Sequence, residues 1–391
     1  MKEGVIKYPI ARHPKYDMGG DSAITKFFYR EKTAQLIGIL YNEEKPKMVW
    51  IDRHFAADQA MIDQALPDHT NTPIDFTDDG STFLYFSASD KDPGTYYVFR
   101  PQAGALIPIR TISDNLKGKT FASMNPFTFP ARDGEAIHAY LTEPVEKSST
   151  LPPLIVDIHG GPAARDMWGF NPSTQFFASR GYAVLQVNYR GSSGYGAAYQ
   201  KAGLRARLDT VVIDDVADGV KYLIDHKKVD PTRIGVTGGS FGGYSVYMSL
   251  IKYPELYRAG IAIAAVSHWA TLEYGDWLDQ NFNYSYMHNL TGGSHFSENE
   301  KFIDPYLRAA EIKQPVYIMH GVWDYTVRIE QAEIMYKALK KTNGHVKFMR
   351  LDTSSHQDWS EPDRITLLNE SGDFFAENLK PIEAEATVAQ K

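Results

Sequence analysis

Short apolar runs separated by turn-forming residues fill the chain from about residue 27 to residue 112. The breaks at 78–81 and 90–94 are rich in Asp, Gly, Ser and Pro, which favour turns. This spacing predicts antiparallel β-sheet, whereas the apolar spacing over 55–65 predicts a short helix. The predicted strands are 35–41, 48–52, 82–88, 96–100 and 105–109.

After residue 121 the pattern changes to single apolar strands that alternate with longer helical stretches. This alternation predicts an α/β domain with a mostly parallel, doubly wound sheet covered on both faces. We therefore divide the chain into a β region (1–120), an α/β domain (121–382) and a C-terminal tail (383–391). The predicted strands are 154–159, 183–188, 234–237, 259–265, 316–320 and 347–351, and the main helices 213–226, 244–253 and 329–342.

Composition excludes several kinds of function. The 391 residues carry a formal net charge of −7 and no clustered basic face, which disfavours nucleic-acid binding. The absence of cysteine excludes a thiolate nucleophile and a zinc–cysteine site. The first 14 residues lack the apolar core of a secretory signal, and 260–266 is too short to span a membrane. A cytoplasmic location without membrane attachment is expected.

The segment 233–244 contains a buried strand, a glycine-rich turn and the start of a helix. The turn has the pattern Gly-x-Ser-x-Gly, formed by Gly238, Ser240 and Gly242. In a nucleophile elbow the serine lies on a strained strand-to-helix turn, where flanking side chains would clash. Ser240 is therefore the predicted nucleophile of an α/β-hydrolase fold.

A serine nucleophile needs a base and an orienting acid, which this fold supplies in the chain order Ser, Asp, His. Asp324 follows the apolar strand 316–320, at the edge where ligands bind in such sheets. Asp352 is the alternative acid, but it lies close in sequence to the histidine loop. His356 follows the last strand and is the predicted base, whereas His226, His288, His295 and His345 occupy less suitable positions.

Two backbone N–H groups are expected to bind the developing oxyanion. One belongs to Phe241, directly after the nucleophile. The other belongs to Gly161, in the segment 159–162 (His-Gly-Gly-Pro) after the strand that ends near residue 158. No metal or organic cofactor is implied by this set of groups.

Five motifs lie between residues 159 and 324 of the chain. They are 159–162 (His-Gly-Gly-Pro), 188–196 (Asn-Tyr-Arg-Gly-Ser-Ser-Gly-Tyr-Gly), 238–244 (Gly-Gly-Ser-Phe-Gly-Gly-Tyr), 266–269 (Val-Ser-His-Trp) and 320–324 (His-Gly-Val-Trp-Asp). Together they closely resemble the prolyl oligopeptidase family of serine peptidases, in its acylaminoacyl-peptidase and dipeptidyl-peptidase branch. The resemblance covers essentially all of 115–380, and 20–112 resemble the closing blades of that family's β-propeller.

The resemblance implies an apolar pocket for the side chain before the scissile bond. Many members also carry Arg or Asn two residues after the catalytic Asp to hold a substrate carbonyl, whereas this chain has Thr326 there. Arg328 is the candidate replacement. The pocket positions that the resemblance implies are Phe241, Val266, Trp269, Leu272 and Val327.

The β region supplies only about two blades, because one blade needs roughly 40–50 residues. A closed propeller needs several blades, so we expect either a truncated form or a more open site. Unpaired strand edges tend to pair with another chain, so we also expect a homo-oligomer formed through 20–112.

Three functions remain open. The first is a serine peptidase that cleaves short peptides or acylated aminoacyl substrates and prefers a hydrophobic residue before the scissile bond. The second is a carboxylesterase acting on small acyl or aryl esters, since the same groups cleave esters. The third is a non-catalytic binding protein, which would not need a complete set of catalytic groups.

Overall fold

The computed structural model describes residues 11–18, 25–146, 148–203, 208–273 and 301–380. For residues 208, 209, 272 and 273 only the backbone is described. No helix within these ranges is both long and apolar enough to cross a membrane. The chain forms two kinds of sheet, a large mixed sheet after residue 123 and two smaller antiparallel sheets before residue 112.

The large sheet has the order β8, β9, β11, β10, β12, β13, β14, β15 among the described residues. Its strands from β11 through β15 run parallel, and β8 and β9 are antiparallel at one edge. Strand β10 lies between β11 and β12, so the strand order departs from the chain order at this point. This gives the doubly wound arrangement that the sequence predicts. The strands are Met124–Pro130, Ala136–Thr142, Leu154–Ile158, Ala183–Asn188, Ile234–Gly239, Ala259–Ile263, Val316–Gly321 and Val346–Leu351, numbered β8 to β15 in chain order.

Helices cover both faces of this sheet because strand side chains point alternately to opposite sides. Val156 contributes to the larger buried cluster, under α4, α5 and α7, and Ile155 to the smaller one, under α2 and α8. We name these the α5 face and the α8 face. The helices are Pro172–Ala178 (α2), Ala197–Ala202 (α3), Ile213–Asp225 (α4), Phe241–Lys252 (α5), Trp269–Glu273 (α6), Glu330–Lys340 (α7) and Glu361–Asn378 (α8).

The β region contains a three-stranded sheet, a helix and a four-stranded sheet. Phe55, Phe83 and Tyr85 are buried at the centre of its separate aromatic core. Asp52 caps the helix by accepting the backbone N–H of His54. The elements are Lys26–Arg30 (β1), Gln35–Asn42 (β2), Pro46–Trp50 (β3), Arg53–Ala65 (α1), Thr70–Phe76 (β4), Phe83–Ala88 (β5), Thr95–Arg100 (β6) and Ala105–Thr111 (β7).

The turn between β2 and β3 attaches the β region to the α/β domain. The carboxylate of Glu44 lies 2.7 Å from Nδ1 of His138, and its carbonyl accepts the hydroxyl of Tyr140 at 2.7 Å. The carbonyl of Glu43 accepts Nη2 of Arg165 at 3.0 Å. Strand β9 and the loop after β10 are therefore both joined to the β region by polar contacts with this one turn.

The predicted architecture, an α/β-hydrolase domain with an N-terminal antiparallel β region, is confirmed. The strands that were not predicted include β4 and β8, which contain Pro73 and Pro126. Both lie at sheet edges, where a missing N–H costs no ladder hydrogen bond. The division at residue 120 stays a prediction, with β7 ending at Thr111 and β8 beginning at Met124.

Candidate active site

Ser240 lies on the sharp turn between β12 and α5, with φ +59° and ψ −121°. This left-handed backbone is strained for a residue with a side chain. A Cβ on Gly242 would overlap the carbonyl oxygen of Ile158, so only glycine lets the helix approach β10 this closely. The turn is fixed further by a 2.9 Å hydrogen bond from the N–H of Ser240 to the backbone carbonyl of Ile263.

Asp324 lies in the loop after β14 and is almost fully buried. Its Oδ1 accepts the backbone N–H groups of Thr326 at 2.9 Å and Val327 at 2.8 Å. Burial alone would raise the pKa of Asp324, but hydrogen bonds from His320 and His356 outweigh it and lower the pKa to about 2. The side chain is therefore a carboxylate at neutral pH.

His356 contacts both other members of the predicted set. Its Nε2 lies 3.1 Å from Oγ of Ser240, and its Nδ1 lies 2.7 Å from Oδ2 of Asp324. The alternative acid, Asp352, is exposed, and its backbone carbonyl accepts a hydrogen bond from Nε1 of Trp323. Of the other histidines considered, His288 and His295 lie outside the described residues.

His320 was not predicted from the sequence, although it begins the motif that contains Asp324. The imidazole is fully buried and donates from Nε2 to the carbonyl of Val327 at 2.7 Å. The same nitrogen lies 3.4 Å from Oδ2 of Asp324. Its position four residues before the acid, at the end of a buried strand, was the available signal.

The segment 159–162 lies directly beside the nucleophile. A Cβ on Gly160 would approach the Cβ of Ser240 to 3.3 Å, so the backbone passes against the serine. Tyr189 stacks on His159, with ring centroids 4.3 Å apart, and donates its hydroxyl to the His159 carbonyl at 3.0 Å. Gly161 follows in this fixed loop with φ +119°.

The second predicted donor, the N–H of Phe241, belongs to the first residue of α5. The first N–H groups of a helix have no partner within the helix and point away from its start. Phe241 directly follows Ser240, so this N–H leaves the helix beside the nucleophile. The roles of Phe241 and Gly161 stay predictions.

Four of the five predicted pocket residues belong to one cluster on the α5 face. Phe241, Val266, Trp269 and Val327 are each at most 5% exposed. Tyr244 packs between Phe241 and Trp269, with ring centroids 5.2 and 5.1 Å away. The side chain of Leu272 lies outside the described part, and the binding roles of all five positions stay predictions.

Gln331 of α7 holds the segment that follows β13. Its Oε1 accepts the N–H groups of Ser267 at 2.9 Å and His268 at 2.8 Å. Its Nε2 donates to the carbonyl of His268 and the hydroxyl of Thr271. Because Gln331 is buried, these bonds fix the backbone next to Val266.

The two polar positions after the acid, Thr326 and Arg328, are both exposed. Thr326 uses its N–H for Asp324, as described above, and its side chain is exposed. Arg328 is also exposed, at the start of the turn that leads into α7. A contact between Arg328 and a substrate carbonyl stays a prediction.

Known proteins are similar to this chain in sequence and in structure. A model of the prolyl oligopeptidase family matches residues 168–381. Dipeptidyl aminopeptidase BIII of Pseudoxanthomonas mexicana is 27% identical over 338 residues, covering 82% of this chain and 48% of the relative. The acylamino-acid-releasing enzyme of Rattus norvegicus is 28% identical over 228 residues, covering 57% and 31%.

Among solved structures, the crystal structure of puromycin hydrolase has a TM-score of 0.68 and 27% identity. That match covers 76% of this chain and 46% of the solved chain. The chain thus spans about half the length, or less, of the relatives it matches. By its family match and its fold, the chain belongs to the prolyl oligopeptidase family.

Proposed function

We propose that this chain is a serine peptidase that cleaves short peptides or acylaminoacyl substrates through an acyl-enzyme. The observation that carries the proposal is the position of His356, within hydrogen-bond distance of both Ser240 and Asp324. A hydroxyl becomes a useful nucleophile when a base takes its proton as it attacks. A buried carboxylate on the far side of the imidazole fixes the required tautomer.

In the proposed mechanism, Nε2 of His356 takes the proton of the Ser240 hydroxyl as Oγ attacks the substrate carbonyl. The N–H groups of Phe241 and Gly161 stabilise the resulting oxyanion. The C–N bond then breaks, and the leaving amine takes the proton from His356. Water then attacks the Ser240 ester by the same steps, with His356 as the base, and the carboxylic acid product is released.

The names of the relatives support the proposed substrate class. One relative is a dipeptidyl aminopeptidase and another is an acylamino-acid-releasing enzyme, so free and acylated amino termini are both candidates. Four of the residues predicted to form the pocket, Phe241, Val266, Trp269 and Val327, are apolar or aromatic and belong to the buried cluster on the α5 face. We therefore propose a preference for a hydrophobic residue before the scissile bond, because such a side chain would exchange water for apolar surface.

The test compares three phenylalanine substrates: a free aminoacyl arylamide, its N-acetyl form and the matched aryl ester. Ser240→Ala should lower kcat on the order of 10⁶-fold for each substrate that is cleaved. Ser249→Ala, in the same helix two turns away, is the matched control and should retain activity. Hydrolysis of the ester alone would favour a carboxylesterase, and no Ser240-dependent turnover would favour a binding protein.

We also propose that the β region mediates self-association with a second copy of the chain. Strand β7 lies at a sheet edge, and Ile107, Ile109 and the adjacent Ile112 are 44%, 57% and 50% exposed. Exposed apolar edges favour pairing with another chain. Light scattering should show a dimer that Ile109→Lys weakens, and a monomer across micromolar concentrations would contradict the proposal.

A further inference from the structure

A cavity of about 400 Å³ opens at Ser240 and His356. Its remaining wall comes from the end of β13, the start of α2, the loop after His356 and one side of α8. Ile263 and Leu367 line it, and both pack against the cluster on the α8 face. We name this volume the α8 cavity.

The α8 cavity and the predicted acyl pocket lie on opposite faces of the sheet. Val266 and Val327 belong to the cluster on the α5 face, whereas Ile263 packs on the α8 face. Ser240 lies between them, at the carboxyl edge of the central strand β12. A substrate attacked at Ser240 therefore has the α8 cavity on one side of its scissile carbonyl and the predicted acyl pocket on the other.

The position of His356 indicates which part of the substrate occupies the α8 cavity. In the proposed mechanism, the atom that leaves must receive its proton from Nε2 of His356. His356 forms part of the wall of the α8 cavity, beside Ser240. The leaving group is therefore placed where this cavity begins.

The lining has a distinct chemical character. Ile263, Leu367, Leu368 and Pro172 provide apolar surface, and no acidic side chain is among the described residues that line the cavity. Arg364, in the first turn of α8, also lines it and is exposed. Within the described ranges its guanidinium has no ion pair, unlike Arg190 or Arg233.

We propose that the α8 cavity binds the residue that leaves, an amino acid with an apolar side chain and a free α-carboxylate that pairs with Arg364. A guanidinium can bind a carboxylate through two parallel hydrogen bonds. The enzyme then prefers substrates in which one residue follows the scissile bond. That residue departs with the proton that His356 took from Ser240. This inference rests on the proposed peptidase function.

The test uses substrates that differ only after the scissile bond. Acetyl-Phe-Leu with a free carboxylate is compared with its C-terminal amide and with an acetyl-Phe arylamide. We expect Arg364→Gln to lower kcat/KM for the free carboxylate about tenfold or more, as for a charge-assisted hydrogen bond. Turnover of the amide and the arylamide should change less than about twofold.

Arg258→Gln is the matched control, because it removes an exposed arginine just before β13, at the start of the parallel strands and away from Ser240 at their carboxyl ends. It should leave all three rates unchanged. Equal loss on the carboxylate and the amide in Arg364→Gln, or no loss on either, would overturn the α8 cavity proposal. Absence of Ser240-dependent cleavage of the arylamide would instead overturn the proposed function, so the two failures are distinguishable.

A second variant tests the apolar part of the proposal. Leu367→Trp should fill the cavity and lower kcat/KM for a leaving leucine several-fold more than for a leaving glycine. Turnover of acetyl-Phe methyl ester, whose leaving methanol is too small to fill the cavity, serves as the internal control for an intact catalytic set. If the variant instead changed the preference for the residue before the scissile bond, the cavity would hold the acyl side, and the proposal would be wrong.

Discussion

His320 lies 3.4 Å from the same carboxylate oxygen of Asp324 that contacts His356. Its own hydrogen bond goes to the carbonyl of Val327, whose N–H donates to the other carboxylate oxygen. His320 therefore supports Asp324 indirectly, by holding the part of the loop that contains Val327. We regard it as a positioning residue, since it does not touch Ser240 in this arrangement.

We predict that His320→Gln lowers kcat by about 10- to 100-fold with little change in KM. The reason is that His320 holds the Val327 carbonyl, and the N–H of Val327 donates to the Asp324 carboxylate. A hydrogen bond to a charged group contributes about 1.5–3 kcal/mol, and each 1.4 kcal/mol changes a rate tenfold. His226→Gln, at an exposed helix end, is the control. Steady-state kinetics and a thermal melt check the prediction. Parallel loss of kcat and fold would indicate a merely structural role.

The pKa of Asp324 makes a prediction about stability. Its value of about 2 in the folded chain lies below about 3.9, the ordinary value for an unfolded chain. Ionised Asp324 therefore contributes about 2 kcal/mol of stability above pH ~4, and this contribution is lost as pH falls toward 2.

Urea denaturation of the wild type and Asp324→Asn at several pH values measures this difference. We expect the gap in unfolding free energy to be largest at neutral pH and to shrink below pH ~4. The same variant should lose about 10⁴-fold in kcat, because the imidazole loses its orienting partner. A gap that stays constant with pH would contradict the assigned pKa shift.

Arg190 forms hydrogen bonds to both carboxylate oxygens of Asp215, which is fully buried. We predict that Arg190→Ala destabilises the fold by about 3–5 kcal/mol, because it leaves a buried charge without its partner. Arg308→Ala breaks a more exposed pair with Glu311 and should cost less than about 1 kcal/mol. Chemical denaturation separates the two, and equal costs would contradict the prediction.

The close approach of α5 to β10 makes Gly242 sensitive to any side chain. We predict that Gly242→Ala abolishes detectable turnover and costs at least about 1–3 kcal/mol, since its Cβ would overlap the Ile158 carbonyl. Gly344→Ala is the control, because a Cβ there meets nothing within 4 Å, and it should change stability by less than about 0.5 kcal/mol. Enzyme assays and thermal melts of both variants provide the measurement.

Local sequence was sufficient for the strands of the parallel sheet and for the elbow around Ser240, because glycine spacing and apolar runs act over a few residues. Asp324 and His356 were predicted from the chain order Ser, Asp, His and from their positions in loops that follow apolar strands. The edge strand β8 was missed because Pro126 signals a break, and only the sheet shows that an edge tolerates it. The α8 cavity was not predicted, because residues far apart in sequence, such as Ser173 and Leu367, line one cavity only after the chain has folded.

Hydrogen bonds join the side chain of Gln331 to the segment 267–271. Gln331 lies in the helix that directly follows the Asp324 loop, and it holds the backbone beside Val266. One amide thus joins the proposed wall of the acyl pocket to the helix that directly follows the Asp324 loop. A shift of either is transmitted to the other, so substrate preference and turnover rate are expected to vary together when this helix moves.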